Sequence, residues 1–472
     1  MKRTIRYWIT GLLAIGFYTG FAQPAITEWL TKGDSSILFR QQALKPLFTS
    51  KTSSLTAIEI DESKKFQRID GFGFALTQGS AMPIVRMNAA KRAALLKELF
   101  DTTAGHIGIS YIRLTIGASD LNEKLFSYDD MPAGQTDETL SHFDLGPDHA
   151  DVIPVMKEIL KISPAIKIMG SPWSPPAWMK TNHDTRGGRL IPAYYKVYAQ
   201  YLARYITAMK KEGIRIDAIT IQNEPLHPGN NPSLLMTAPE QTEFIKHHLG
   251  PLFRSLHIDT KIILYDHNAD RPDYPIYILN DREARQYVDG SAFHLYNGST
   301  EALTDVHEAH PDKNIYFTEQ MTVQFGRDEN AKGPELHIAG AVSWLLIGAT
   351  RNWSKNVLEW NLAANSQFTP YTDRGGCNMC QGAISVDGDS VTKNMGYYSV
   401  AHFSKFVRPG AVRIASGETD KISTVAFKSS GGRKVLIASN NTSEEQRFCL
   451  RHKGRTAEIT LPAASVATYY WD

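Results

Sequence analysis

Hydrophobic positions in the middle of the chain gather into eight short β-prone runs separated by stretches of helical periodicity. The runs are IDGFGFAL (69–76), YIRLTIG (111–117), KIMGSPW (167–173), AITIQNEP (218–225), KIILYDHN (261–268), SAFHLYN (291–297), IYFTEQ (315–320) and NVLEWNLA (356–363). Between them, AAKRAALLKELF (89–100) has helical spacing, and AYYKVYAQYLARYITAMKKEG (193–213) ends in a lysine pair and a glycine that stop a helix. Strands alternating with helices in this way predict an α/β fold, a parallel (β/α)8 barrel.

Several runs start on an aliphatic or aromatic residue and close on a polar or aromatic cluster: GASD, SPWSPP, QNEP, DHN, HLYN, TEQ, EWN. In a barrel the C-terminal strand ends form the active-site mouth, while earlier strand residues fill the interior. A doubly wound sheet would concentrate its ligands at one switch point instead of spreading them over seven strand ends.

From about Gly410 the period changes to two. VRIAS, ISTVAFKSSGG, KVLIASNN, QRFCLRH and AEITLPAASVATYYW are separated by turn residues, as in an antiparallel β-sandwich. SSLTAIEIDES (53–63) has the same character. The expected organisation is a leader (1–22), an N-terminal segment lending strands to the β-domain (23–68), the barrel (69–395) and a C-terminal β-sandwich (396–472). A chain of 472 residues accommodates both parts.

Charge alters this picture only at the N-terminus. Lys2, Arg3 and Arg6 precede an uncharged apolar run, with Gly20 and Ala22 placed for cleavage before Gln23. We expect an exported protein, secreted, periplasmic or held at the cell surface, with no integral membrane span in the mature chain. Without residues 1–22 the chain has 48 basic and 49 acidic residues, so neither nucleic acid nor an anionic membrane is an expected partner. Cys377 and Cys380 form a CxxC pair without further ligands at zinc spacing, which favours a local disulfide over a metal or redox site. Cys449, inside an alternating run, is expected to be a buried strand residue.

Two glutamates carry the chemistry. Glu224 in TIQNEP and Glu319 in YFTEQ end the fourth and seventh runs, 95 residues apart in sequence. Glycosidic bond cleavage needs a carboxyl group to protonate the leaving oxygen and another to stabilise or attack the anomeric carbon. Asn223, beside the first, is suited to the sugar 2-OH. Trp173, Trp178, Trp360 and Tyr296 offer aromatic faces near strand ends, and Asp120 and Asn361 offer polar partners for hydroxyls. His294 shares a strand face with Tyr296. GFG at 71–73 lacks the third glycine of a dinucleotide fingerprint, and neither GxSxG nor HExxH occurs.

Taken in order, GFGFALTQGSA, YIRLTIGASDL, IMGSPWSPPAWMKTN, ITIQNEP, FHLY, YFTEQ, EWNLA and AHFSKFVRPGAVRI resemble glycoside hydrolase family 30, from about residue 66 to the C-terminus. That resemblance implies a barrel with a side β-domain, retention of configuration, and neither metal nor organic cofactor. It implies Glu224 as acid/base and Glu319 as nucleophile. It further implies Asp120, Trp173, Asn223 and Trp360 at the sugar in the −1 subsite, with His294 and Tyr296 in the wall behind the nucleophile. The loops RGGCNMCQGAISVD and EPLHPGNNPSLLMTAPEQ look like those of bacterial and β-1,6-glucanase-like members. The expected substrate is therefore a β-glucan, β-1,6-linked, with a glucosylceramidase-type β-glucosidase and a non-catalytic carbohydrate-binding barrel as the competing readings.

Overall fold

The computed structural model describes residues 25–43, 45–322 and 337–472, so the expected leader lies outside the described residues. All eight runs form strands of one closed parallel barrel. In order they are Gly71–Leu76, Tyr111–Ile116, Lys167–Pro172, Ala218–Thr220, Lys261–Ala269, Val288–Gly298, Asn314–Glu319 and Ser354–Asn361, called strands 1 to 8 below. Strand 8 closes the ring against strand 1, with Val357 opposite Phe72.

Alternation along each strand divides two cores. Ile112, Leu114, Ile168, Ile219, Ile262 and Phe293 face outward and join the large cluster packed against the helices. Tyr111, Met169, Ala218, Ile263, Ala292, Tyr316 and Leu358 face inward and form an apolar layer inside the barrel. The barrel is thus filled rather than hollow, and polar chemistry is confined to the layers towards the C-terminal strand ends.

Strand 4 is shorter than its hydrophobic run predicts. After Thr220 the chain leaves the ladder: Asn223 N–H donates to Pro172 O at 2.7 Å and Glu224 N–H to Asp266 O at 2.9 Å. Glu224 has a φ of 45°, the left-handed conformation that costs a non-glycine residue about 1 kcal/mol. The strained turn places the carboxylate over the barrel mouth.

The β-domain is a nine-stranded sheet in the order Arg455–Leu461, Gln446–His452, Ala57–Arg68, Val412–Ser416, Ile422–Lys428, Lys434–Asn440, Ser465–Trp471, Thr27–Lys32 and Arg40–Gln41. Thr27–Lys32, Arg40–Gln41 and Ala57–Arg68 of the N-terminal segment lie in this sheet. The strand expected over 53–63 runs instead from Ala57 to Arg68, because it serves two neighbours. Its start pairs in parallel with Gln446–His452, and its remainder, with register shifts, pairs antiparallel with Val412–Ser416. Leu436, Phe448, Ile459 and Tyr469 share the domain's own core. On the alternate face Val425, Phe427, Val435 and Ile437 join the barrel's core cluster, where Phe403 of helix Met395–Ser404 lies 5.2 Å from Phe72 and 6.4 Å from Phe427, ring to ring. The two parts therefore share continuous apolar packing. Cys449 is buried in its strand, and Cys377 and Cys380 are joined by a disulfide. No described helix is long and apolar enough to cross a membrane.

Candidate active site

Strand 2 reads Tyr-Ile-Arg-Leu-Thr-Ile, and its outward aliphatics leave Arg113 on the inner face, wholly buried. A guanidinium there must be surrounded by acceptors. Its Nε donates to Ser171 Oγ at 3.0 Å, and Nη1 to Glu319 Oε2 at 2.6 Å. Nη2 donates to Asn223 Oδ1 and to Asp266 Oδ2, each at 2.8 Å. One side chain thereby connects strands 2, 3, 5 and 7 and the turn after strand 4.

Asp266 is the second centre of this network. Besides Arg113 it accepts from Thr220 Oγ1 and Thr318 Oγ1, both at 2.6 Å, and contacts His294 Nε2 at 3.1 Å. Burial works to raise its carboxyl, yet Arg113 and His294 hold it far below the usual carboxylate range. His294 contacts Glu224 Oε1 through Nδ1, at 3.1 Å. Burial opposes its charge, but Glu319, Asp266 and Glu224 push it up to about 9. His294 is consequently a cation at neutral pH, donating from both ring nitrogens.

The two predicted glutamates meet here. An oxygen of Glu224, an oxygen of Glu319 and a nitrogen of His294 all lie within 4.8 Å of one another. Positive charge reaches this cluster from Arg113 and His294. Glu319 is gripped on both oxygens, by Arg113 and by the Tyr296 hydroxyl at 3.1 Å. Tyr296 is 44 % exposed, but its hydroxyl is enclosed and burial raises it well above its ordinary value. Burial and the Glu224 charge push the Glu319 carboxyl up, against His294 and Arg113. At Glu224 burial also raises, but the bond and charge of His294 outweigh it and the carboxyl lies below its usual range.

The remaining expected residues surround this pair. Asp120 is 6 % exposed, its Oδ1 has no partner among the described residues, and burial with the Glu319 and Glu224 charges pushes it up to about 8. Burial and the neighbouring charges thus favour its protonated form, which can donate as well as accept. Asn223 spends its carbonyl oxygen on Arg113, which leaves Nδ2 to the mouth. Trp173 and Trp360 lie 5.4 Å apart, ring to ring, with the Arg113 guanidinium 4.8 Å and 5.9 Å from their centroids. Both are nearly buried and pack with Leu121 and Cys380, so the disulfide loop backs the aromatic wall.

Asn361, read from sequence as a polar partner for sugar hydroxyls, serves the scaffold, and so does Trp178. Asn361 accepts from Thr77 Oγ1 at 2.8 Å and from Ser80 Oγ, and donates to Ala363 O, so its carbonyl oxygen is fully used and its amide nitrogen is anchored to the backbone. Trp178 is buried against Tyr194, and its Nε1 donates to Asp129 O at 2.9 Å. Arg113, Asp266 and Glu359 were not singled out by sequence reasoning. A cation in the middle of an apolar barrel strand, and DHN closing strand 5, were the available signals for the first two. Glu359 precedes Trp360 on strand 8, accepts from Thr322 Oγ1, and burial pushes it up to about 8.

Residues 69–407 match the model of the glycosyl hydrolase family 30 TIM-barrel domain, and residues 410–469 that of the family's β-sandwich domain. The chain belongs to glycosyl hydrolase family 30. It is accordingly a glycoside hydrolase, as its motifs and paired carboxylates indicated. Within the family it is 34 % identical over 457 residues to an endo-1,6-β-D-glucanase of Neurospora crassa, covering 93 % of this chain and 92 % of the relative. The lysosomal acid glucosylceramidase of Mus musculus is 28 % identical, covering 89 % and 84 %. A solved endo-β1,6-glucanase superposes with a TM-score of 0.86 at 32 % identity, covering 95 % of this chain and 99 % of that one.

Proposed function

We propose that this family 30 member is a retaining endo-β-1,6-glucanase with Glu319 as nucleophile and Glu224 as acid/base. The observation carrying the chemistry is the closeness of the two carboxylates, with oxygens within 4.8 Å. Retaining enzymes hold these groups about 5–5.5 Å apart, while inverting enzymes leave room for a water between them. The substrate reading is supported by the glucanase relatives, at 30–34 % identity over most of the chain.

The residues have distinct parts in the reaction. Arg113 and Tyr296 fix both oxygens of Glu319 and aim it at C1, and the Arg113 charge favours the ionised form against burial. The cationic His294 passes its Nδ1 proton to the Glu224 carboxylate it contacts, and Glu224 delivers that proton to the glycosidic oxygen as that bond breaks. Esterification removes the negative charge of Glu319, so the like-charge repulsion on Glu224 vanishes. Glu224, again a carboxylate beside the now neutral His294, takes a proton from the water that attacks C1 and frees Glu319, and that proton returns to His294 Nδ1. Asn223 Nδ2 and Asp120 bind the hydroxyls of the glucosyl unit, and Trp173 and Trp360 bound its pocket. His294 and Tyr296 position the two carboxylates.

The basic head and apolar run before Gln23 support export, where a polymeric glucan is reachable. Incubation with pustulan, laminarin, xylan and glucosylceramide, followed by product sizing, tests the substrate. We expect oligosaccharides from pustulan, a β-1,6-glucan; hydrolysis of glucosylceramide alone would overturn the assignment.

A further inference from the structure

The loop after strand 2 holds another cluster of ionisable groups, outside the Arg113–Asp266 network. Asp129, Asp137 and His142 each present one ligand atom, and the three atoms lie within 4.8 Å of one another. Asp129 is only 1 % exposed, and neither of its carboxylate oxygens has a hydrogen-bond partner among the described residues. Asp137 is also buried, whereas the His142 side chain is 65 % exposed and forms the open side. Among the described residues neither carboxylate is paired with lysine or arginine. Asp137 accepts from the Thr139 and His142 backbone N–H groups and from the Thr139 and Ser141 hydroxyls, and His142 Nδ1 lies 2.8 Å from its Oδ2.

A buried carboxylate without any donor, as at Asp129, is unfavourable unless it takes up a proton or meets a cation, and Asp137 and His142 turn ligand atoms towards the same point. We propose that Asp129, Asp137 and His142 form a binding site for one divalent cation of the Zn2+ class. An imidazole nitrogen with two carboxylates suits zinc, whereas calcium and magnesium prefer all-oxygen shells. His142 binds the cation through Nδ1, with the ring proton on Nε2 at the open side. All three ligands lie in the loop after strand 2, which a hydrogen bond from Trp178 Nε1 to Asp129 O joins to the loop after strand 3.

The test is calorimetric titration of Zn2+ alone into EDTA-stripped, buffer-exchanged protein, together with Tm measured with and without the metal. Titration of the Glu319→Gln variant separates this site from the active-site cluster of Glu224, His294 and Glu319. We expect one saturable equivalent, unaffected by Glu319→Gln, and a Tm that rises with zinc. Asp129→Asn and His142→Ala should each weaken binding by about tenfold or more and abolish the Tm response. His142 is largely exposed, so its substitution leaves the fold intact and keeps the test decisive if Asp129→Asn does not fold. No saturable binding to the unsubstituted protein, binding that survives His142→Ala undiminished, or binding lost in Glu319→Gln overturns the proposal.

Discussion

Arg113 Nη2 donates to Asp266 Oδ2 at 2.8 Å in a part of the barrel from which both side chains are wholly excluded from solvent. The pair is surrounded by further partners rather than isolated, so its desolvation is offset by hydrogen bonds on nearly every polar atom. Arg113→Ala leaves Asp266 and Glu319 buried without their cation. We expect a loss on the order of 3–5 kcal/mol in stability, as when one partner of a buried pair is removed. Chemical denaturation reads this, and a cost near zero contradicts the role given to Arg113.

Glu224→Gln keeps shape and removes the titratable proton. With an alkyl glucoside, whose leaving group needs protonation, turnover should fall by about 10²–10⁴-fold. With a dinitrophenyl glucoside, which leaves unaided, the first step should be nearly spared. Equal losses on both substrates contradict an acid role for Glu224.

His294 is pushed up to about 9 from an ordinary value of 6.5. The stabilisation from its charge is complete below pH 6.5 and is lost as pH rises through about 9. Activity should therefore fall on an alkaline limb approaching pH 9. Asp266→Asn removes an anion that raises His294, so the limb should move to lower pH. A pH–rate profile of the two proteins checks this, and an unchanged or higher alkaline limb in the variant speaks against it.

Glu359 makes a separate contribution to pH dependence. Burial raises it to about 8 from 4.5, so the folded state keeps a proton that the unfolded chain releases. That contribution is fully present below pH 4.5 and is lost as pH rises through about 8. Glu359→Gln should become increasingly stable relative to the unsubstituted protein across this window. A Tm difference independent of pH contradicts the assignment.

The barrel was legible in sequence because its eight runs obey one alternation, apolar towards the helices and mixed inside. Strand ends were less legible. AITIQNEP reads as one strand, but tertiary bonds from Asn223 and Glu224 to strands 3 and 5 pull its second half into a turn. The catalytic pair was visible because polar residues after apolar runs must gather at one end of a barrel. Arg113 was hidden inside a run that looks like core, since burying a guanidinium depends on acceptors scattered over 206 residues of sequence, from Arg113 to Glu319. Asn361 shows the converse: it lies among the site residues in sequence, yet its hydrogen bonds are committed to Thr77, Ser80 and Ala363.

Covalent trapping tests the central claim most directly. The protein is incubated with a 2-deoxy-2-fluoroglucosyl donor carrying a good leaving group, then digested and mapped by mass spectrometry. A single fluoroglucosyl label on Glu319 is the predicted result. A label on Glu224, or none from protein that still turns over its substrate, would contradict the assignment of Glu319 as nucleophile.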